Sequence, residues 1–132
     1  MDGQAEHEVL QAANTLVARF AAHDTEGYFA AFAPEATFIF HATPRFLESR
    51  DAYRALWRDW EASGFRILDC RSFEPLVRVY GETAIFTHRV ETRLISDSVE
   101  QTAMERETIV FRRQDDGGWR AVHEHLSPCG DT

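Results

Sequence analysis

The chain has 132 residues, of which 44% are hydrophobic, and its 14 basic against 22 acidic residues give a net charge of −8. This length fits one domain, residues 1–132. The acidic balance argues against nucleic acid or an anionic membrane as a partner, because phosphate binding depends on clustered basic charge. A run of about 18 apolar residues and a basic-then-apolar leader are both absent. A cytoplasmic protein is therefore expected.

Apolar residues at helical spacing predict three helices. The first covers HEVLQAANTLVARFAAHD, and the second begins at Asp24, a suitable N-cap, and is closed by Pro34. A strand is predicted for ATFIFH, residues 36–41, because the segment is rich in aromatic and β-branched residues. Ser49 can then cap a third helix, RDAYRALWRDWEASG, which ends at Gly64.

The rest of the chain has the composition and alternation of β-strands. Four strands are predicted: FRILDCRSFEPLVRVY, TAIFTHRVETRLI, VEQTAMERETIVFRR and GWRAVHEHL. Pro75 indicates a bulge or an edge in the first of them, and Gly81 and QDDGG indicate hairpin turns. Three helices, with a lone strand before the third, and then a four-strand meander predict an α+β fold. A strongly curved antiparallel sheet backed by helices would bury the many aromatic residues on one face.

The closing segment RETIVFRRQDDGGWRAVHEHLSP carries a motif of a strand, an Asp-Gly turn and a His-x-His strand. Its positions are Glu107, Thr108, Val110, Phe111, Gly117, Trp119, Val122, His123, His125 and Ser127. The segment resembles the end of the SnoaL-like branch of the nuclear transport factor 2-like superfamily. It also resembles the association (hub) domain of calcium/calmodulin-dependent protein kinase II.

The resemblance continues upstream in AHDTEGYFAAFAPEATF and GETAIFTHRVETR, so it spans about residues 8–128, which it implies are the ordered core of the domain. It places Tyr28 at a pocket tyrosine of the hub domain and Arg89 at a pocket arginine. Two further pocket arginines of the hub correspond to Ile109 and Leu126, so its carboxylate-binding arginine cluster is not reproduced. The resemblance implies a cone-shaped α+β fold with three N-terminal helices packed on the sheet, a pocket between them, and a homodimer.

The C-terminal histidines, His123 and His125, share one face of a strand because they lie two residues apart. A zinc site needs at least three ligands, and no further ligand motif lies nearby, so no metal is expected. The pair can pack in the sheet or at a dimer interface, or it can line a pocket as an acid/base group. The hub resemblance puts the opposite face, that of Leu126, in the pocket. The amphipathic pattern puts Trp119 and the histidines inside instead, unless a bulge changes the alternation.

A second group of candidates is THRVETR, in which Arg89, Glu91 and Arg93 share one strand face. This face can be a solvated ladder of cross-strand ion pairs. Alternatively, Arg89 points inward and pairs with Glu91 or with Glu107 of the next strand. Such a pair could bind an anionic or enolate-like group.

A third group combines Tyr28 with His41 near the expected mouth of the pocket. A tyrosine oxyanion donor beside an acid/base group is the logic of ketosteroid isomerase, a distant member of the superfamily whose catalytic aspartate pattern is absent here. Apolar and aromatic residues would line the pocket. The predicted ligand-binding residues are Phe38, Phe40, Tyr53, Trp57, Trp60, Ile109, Phe111 and Leu126.

Two classes of function fit these observations. The first is a small enzyme of isomerase, cyclase, dehydratase or hydrolase type that acts on a hydrophobic small molecule by proton transfer. Its candidate catalytic residues are Tyr28, His41, Arg89, Glu107, His123 and His125. No cofactor is expected, because phosphate loops, nucleotide fingerprints and nucleophile elbows are absent from the sequence. The second class is a non-catalytic module for small-molecule binding or for dimerisation and assembly.

Overall fold

The computed structural model describes residues 2–129, which form three helices and five strands. The helices are α1 (Asp2–Ala21), α2 (Thr25–Ala30) and α3 (Arg50–Ala62). The strands are β1 (Phe32–Phe40), β2 (Arg66–Tyr80), β3 (Thr83–Ser96), β4 (Val99–Arg113) and β5 (Trp119–Pro128). In the described residues, no helix is both long enough and apolar enough to cross a membrane.

The strands form one curved, unclosed sheet in the order β1-β5-β4-β3-β2. Strands β2 to β5 pair antiparallel, and β1 joins β5 in parallel at one edge. The predicted α+β class and the helix-backed curved sheet are therefore confirmed. The expectation of a wholly antiparallel sheet is wrong for β1, because the chain crosses over before it pairs with the last strand.

Both predicted N-caps are present. The Asp24 side chain accepts a hydrogen bond from the Gly27 N–H at 3.1 Å, and the Ser49 hydroxyl accepts one from the Ala52 N–H at 3.0 Å. Helix α2, however, ends at Ala30, and Pro34 lies inside β1 rather than closing the helix. Proline is tolerated there because β1 is an edge strand, which leaves one side of the backbone unpaired.

The helices cover one face of the sheet, here called the inner face, and the core lies between the two layers. Its largest side chains are aromatic and at most 2% exposed, and many of their rings meet edge to face. They are Trp57, Tyr28, Phe29, Phe32, Phe38, Phe86 and Phe111. Helix α1 adds a buried stripe of Val9, Ala13 and Leu16, as its amphipathic pattern predicted. Aromatic burial is thus the main force that holds helices to sheet.

Two bulges decide which side chains reach the interior. In β2 the pairing with β3 breaks between Phe73 and Leu76, where Glu74 has a φ of +55°. In β5 the pairing with β4 moves from Ala121 opposite Phe111 to His123 opposite Val110, so Val122 is the extra residue. In a regular strand, side chains an odd number of residues apart point to opposite faces of the sheet. Across the extra residue Val122, such side chains point to the same face.

Candidate functional site

The inner face carries a row of four polar side chains, one from each of the neighbouring strands β5, β4, β3 and β2. Glu124 is hydrogen-bonded to Glu107, and Glu107 Oε1 lies 2.6 Å from His88 Nε2. His88 Nδ1 lies 2.6 Å from the Ser72 hydroxyl oxygen. Glu124, Glu107 and His88 are buried, at 3%, 7% and 4% exposed, whereas Ser72 is exposed at the edge of the sheet. The row therefore runs from the interior to the surface.

Two tyrosines from the helices complete the inner end of this row. Tyr28 of α2 and Tyr53 of α3 place their hydroxyl oxygens 2.8 Å apart. The Tyr28 hydroxyl also donates to Glu124 Oε1 at 3.5 Å. Both rings are buried, at 2% and 3% exposed. The short helix α2 is fixed by its Asp24 cap, so the position of Tyr28 follows directly from local sequence.

Burial without a nearby cation perturbs the ionisation of this cluster. Burial raises the pKa of Glu107 to about 7, and the neighbouring Glu105 carboxylate acts in the same direction. Burial and the Glu107 carboxylate hold the pKa of Glu124 well above its ordinary range. Burial lowers the pKa of His88 to about 4, so its imidazole is neutral. The carboxyl pair therefore keeps at least one proton at neutral pH.

The cluster faces an inner cavity of about 50 Å³. Its lining combines the tyrosines and three glutamates with apolar groups: Leu16, Val17, Phe20, Tyr28, Tyr53, Cys70, Val90, Thr92, Glu105, Glu107, Glu124 and Leu126. The Cys70 thiol has its pKa raised to about 12 by burial, so it stays protonated and is no nucleophile.

An outer cavity of about 430 Å³ lies in front of the inner one. The two share five lining residues: Phe20, Tyr53, Thr92, Glu105 and Leu126. The outer wall is mainly aromatic, with Phe40, Trp57, Trp60 and Phe65. No arginine lines either cavity among the described residues. The arrangement suits a hydrophobic molecule whose reacting end reaches the carboxyl pair.

His41 lies at the rim of the outer cavity rather than beside Tyr28. Its Nε2 is 2.6 Å from Glu105 Oε2, and its side chain is 36% exposed. The structure thus separates two predicted partners: Tyr28 joins the buried carboxyls, and His41 joins Glu105 near the entrance. Glu105 lines both cavities, so this second acid/base pair stands between solvent and the inner cluster.

The prediction that Arg89 points inward is wrong. Its guanidinium pairs with Glu74 at 3.3 Å, its side chain is 42% exposed, and it lines neither cavity. The physical reason is strand alternation: Phe86, His88 and Val90 are buried on the inner face, which sends Arg89 outward. The solvated face of β3 is therefore the correct alternative.

His123 and His125 also lie on the outer face of the sheet and line neither cavity. His123 Nδ1 is 2.8 Å from the Thr37 hydroxyl, and the two imidazole centroids are 6.3 Å apart. The bulge at Val122 resolves the question of the face of β5. It allows Trp119 and Leu126 both to point inward, so each of the two orientation arguments was correct for one half of the strand.

Five of the predicted ligand-binding residues line the outer cavity: Phe40, Tyr53, Trp57, Trp60 and Leu126. The other three, Phe38, Ile109 and Phe111, are at most 1% exposed and line neither cavity. They lie within the cluster of buried aromatic and aliphatic side chains between helices and sheet, which leaves no space for a ligand beside them. Their predicted contact with ligand is corrected to a role in the core.

Sequence reasoning did not assign a role in the site to Glu124, Glu105, Ser72 or His88. A signal for His88 was present, because its neighbours two residues away, Phe86 and Val90, are apolar. Such alternation predicts burial on the same face. Glu124 shares the Leu126 face of β5, which the hub resemblance put in the pocket, but the amphipathic pattern put the opposite face inside, so the sequence left its orientation open. Within residues 2–129, no three His, Cys, Asp or Glu side chains are grouped so that they could hold a metal ion.

Comparison with known proteins identifies the family. The SnoaL-like domain profile matches residues 9–130, so the chain belongs to the SnoaL-like domain family. A search of curated proteins finds no match.

Solved structures confirm the nuclear transport factor 2-like fold. A superfamily protein from Salmonella enterica superposes with a TM-score of 0.84 and 19% identity, over 98% of this chain and 94% of that one. A ketosteroid isomerase-like protein from Erwinia carotovora atroseptica gives 0.79 and 16%, over 95% and 96%. A candidate calcium/calmodulin-dependent kinase II association domain from Exiguobacterium sibiricum gives 0.78 and 15%, over 95% and 93%. These TM-scores establish a common fold, and at such low sequence identities the likeness concerns the fold alone.

Proposed function

We propose that this protein is a small enzyme that requires no cofactor and moves protons on a hydrophobic molecule bound in the outer cavity. The observation that carries the proposal is the pair of buried, hydrogen-bonded carboxyls, Glu107 and Glu124, at the inner end of an aromatic cavity. Acid/base catalysis at neutral pH needs groups whose pKa values have been moved towards neutrality, and burial does this to Glu107.

Each member of the cluster has a distinct role in this proposal. Glu107 accepts a proton from a carbon next to a carbonyl, and the electron pair of that C–H bond forms the double bond of an enol. The carbonyl oxygen then carries developing negative charge, and one of the two tyrosine hydroxyls, Tyr28 or Tyr53, stabilises it by turning its hydrogen bond from its present acceptor to that oxygen. Glu107 returns the proton to the same or another carbon, while Glu124 stays protonated and keeps the pair from carrying two charges.

The cavity lining favours a neutral ligand. Three glutamates and no arginine line the two cavities among the described residues, so a ligand carboxylate or phosphate would meet negative charge without a counter-ion. The apolar rings of Phe40, Trp57, Trp60 and Phe65 instead match the surface of a cyclic hydrocarbon skeleton. An apolar ketone is therefore the substrate class that fits best.

The test is proton exchange into apolar cyclic ketones in deuterated buffer, followed by NMR. We expect the protein to catalyse replacement of hydrogens next to the carbonyl by deuterium, and Glu107→Gln to reduce the rate by on the order of a hundredfold or more. The matched control is Glu48→Gln, at an exposed glutamate outside both cavities. Activity that Glu107→Gln leaves unchanged would contradict the proposed role.

The same experiment discriminates the second candidate function, a binding module without catalysis, because an aromatic cavity is sufficient for binding. In that case the ketones raise the melting temperature, Trp60→Ala removes the increase, and no exchange above the rate in buffer occurs. The catalytic proposal would then be wrong, although the cavity would still be a ligand site.

An assembly role has support from the outer face of the sheet. Ile39, Leu76 and Ile85 on this face are 37%, 48% and 37% exposed. One row of paired residues crosses all five strands there, from Ile39 through His125, Thr108 and Thr87 to Leu76. We propose that a second copy of the chain covers this face in a homodimer. Sedimentation should show a dimer that Ile85→Glu dissociates, and a monomeric native protein would contradict the proposal.

A further inference from the structure

The polar row across the sheet continues beyond the two carboxyls. Glu107 contacts His88, and His88 contacts Ser72, each at 2.6 Å. The His88 side chain is wholly buried, whereas Ser72 is exposed on β2, the edge strand of the sheet. A continuous hydrogen-bonded chain therefore joins the carboxyl pair to bulk water on the side away from the outer cavity.

The local sequence explains why this chain can form. The β2 bulge places Glu74 and Pro75 opposite His88, because Phe73 pairs with Arg89 and Leu76 with Thr87. The direct cross-strand neighbour of His88 on β2 is thereby lost, and the Ser72 hydroxyl fills the space beside Nδ1. On the other side, His88 pairs directly with Glu107 on β4.

Among residues 2–129, the other polar path from the inner cavity, through Glu105 and His41, runs along the outer cavity, where a bound ligand would cover it. Many of its other lining residues are apolar, among them Leu16, Val17, Phe20 and Val90. A ligand in the outer cavity would separate the carboxyls from the water at its mouth, because the two cavities share Phe20, Tyr53 and Leu126. Proton exchange with bulk water during turnover would then require a path through the sheet.

We propose that His88 and Ser72 form a proton relay that connects the Glu107–Glu124 pair to bulk solvent through the sheet edge. This inference rests on the proposed acid/base function and adds a second path, through the sheet, by which its protons exchange with solvent. His88 and Ser72 are positioning residues in this scheme, since His88 contacts Glu107, Ser72 contacts His88, and neither lines a cavity.

The relay balances through a change of imidazole tautomer. With Glu107 ionised, His88 Nε2–H donates to the carboxylate, and the Ser72 hydroxyl donates to Nδ1. Once Glu107 is protonated, the imidazole first changes tautomer, so that Nδ1 carries its proton and Nε2 is free to accept. The Glu107 O–H then gives its proton to Nε2 while Nδ1–H gives one to the Ser72 oxygen, which releases its own proton to water. The imidazole stays neutral and ends with its proton on Nε2, as at the start. Glu107 loses one proton and bulk water gains one.

The titratable groups around the relay are those of the inner cavity. Glu107 of β4 touches His88, and Glu105 of the same strand and Glu124 of β5 lie beyond it. Tyr28 and Tyr53 face the cluster from the helices, and Cys70 faces it from β2. Among the described residues, Glu107 is the titratable group in hydrogen-bond contact with His88. Glu107 is therefore the group that passes protons to the relay.

The relay can be tested by time-resolved infrared spectroscopy with cyclohexane in the outer cavity, which blocks the direct route to water and has no group that takes part in proton transfer. The native protein is mixed rapidly from ordinary into heavy water at neutral pH, and the isotope change of the buried carboxylic-acid band is followed. We expect His88→Gln, which keeps a donor towards Glu107 but cannot relay, to slow the exchange by on the order of tenfold or more. Ser72→Ala should slow it in the same direction. Matched controls are His7→Gln on α1 and Ser63→Ala after α3, both exposed and outside both cavities, which should leave the rate unchanged.

The sign of the change separates a relay from a merely structural role. A substitution that only loosens packing opens the site to water more often and therefore speeds exchange. Unchanged or faster exchange in both His88→Gln and Ser72→Ala would overturn the relay while leaving the carboxyl pair intact. If the native protein shows no carboxylic-acid band at neutral pH, the proposed acid/base function fails together with the relay.

Discussion

Replacing Glu107 by glutamine should make the protein more stable above neutral pH, although the side chain is buried and hydrogen-bonded. Glutamine preserves the shape of the side chain and removes its charge. The cost of that charge follows from the structure, because burial raises the pKa of Glu107 from an ordinary value of 4.5 to about 7. At roughly 1.4 kcal/mol for each pH unit, the difference amounts to about 3 kcal/mol of stability.

The sign follows from proton binding in the two states. Below about pH 4.5 the carboxyl is protonated both folded and unfolded, so it costs nothing. Between about 4.5 and 7 the folded chain holds a proton that the unfolded chain has lost, and stability therefore falls as pH rises. Above about 7 the loss is complete and constant. Two other groups titrate abnormally, His88 with a lowered pKa and Glu124 with a raised one, but both are present in the variant as well.

The assay is urea unfolding monitored by tryptophan fluorescence at several pH values from about 4 to about 8.5. The difference in free energy of unfolding between Glu107→Gln and the native protein should change by about 3 kcal/mol across this range, in favour of the variant at high pH. Removing the Glu107 charge also relieves Glu124, which acts in the same direction. Exposed Glu48→Gln supplies the control. A difference that stays constant with pH would refute the raised pKa.

Three further substitutions test the packing and the backbone. Trp57→Ala should destabilise the fold by about 3–5 kcal/mol in urea unfolding, because the side chain is wholly buried among aromatic rings, and a loss below about 1 kcal/mol would contradict that packing. Ser49→Ala should cost about 1 kcal/mol by removing the N-cap of α3, with exposed Ser63→Ala as the comparison. Ser98→Gly should stabilise the β3–β4 turn by up to about 1 kcal/mol in thermal unfolding, because Ser98 has a φ of +68°, and destabilisation would show that its side chain matters more than its backbone.

The sequence predicted the layers of the fold because each layer follows from local pattern. Helical spacing in α1 and α3, alternation in the strands and the caps Asp24 and Ser49 all act over a few residues. The parallel pairing of β1 with β5 was not predicted, since it joins segments separated by most of the chain. Pro34 misled the prediction for the same reason: its tolerance depends on the edge position of β1, which only the sheet order reveals.

The candidate site was predicted in part. Tyr28 and Glu107 were correctly placed among residues that face the interior, but Arg89 and the C-terminal histidines lie on the outer face. A bulge inverts the alternation of every residue after it, and a bulge such as that at Val122 has no sequence signature of the kind that glycine or proline gives. Glu124 lies on the Leu126 face, which only one of the two orientation arguments put in the pocket, so its role required the structure.

The most direct measurement is a titration of the glutamate side-chain carboxyl carbons by NMR, assigned with Glu107→Gln and Glu124→Gln. A buried pair that keeps a proton at neutral pH predicts one carbon that titrates near 7 and a second whose pKa is also raised well above the ordinary 4.5. Two carbons that both titrate near 4.5, as in solvated glutamates, would contradict the acid/base account of this cavity.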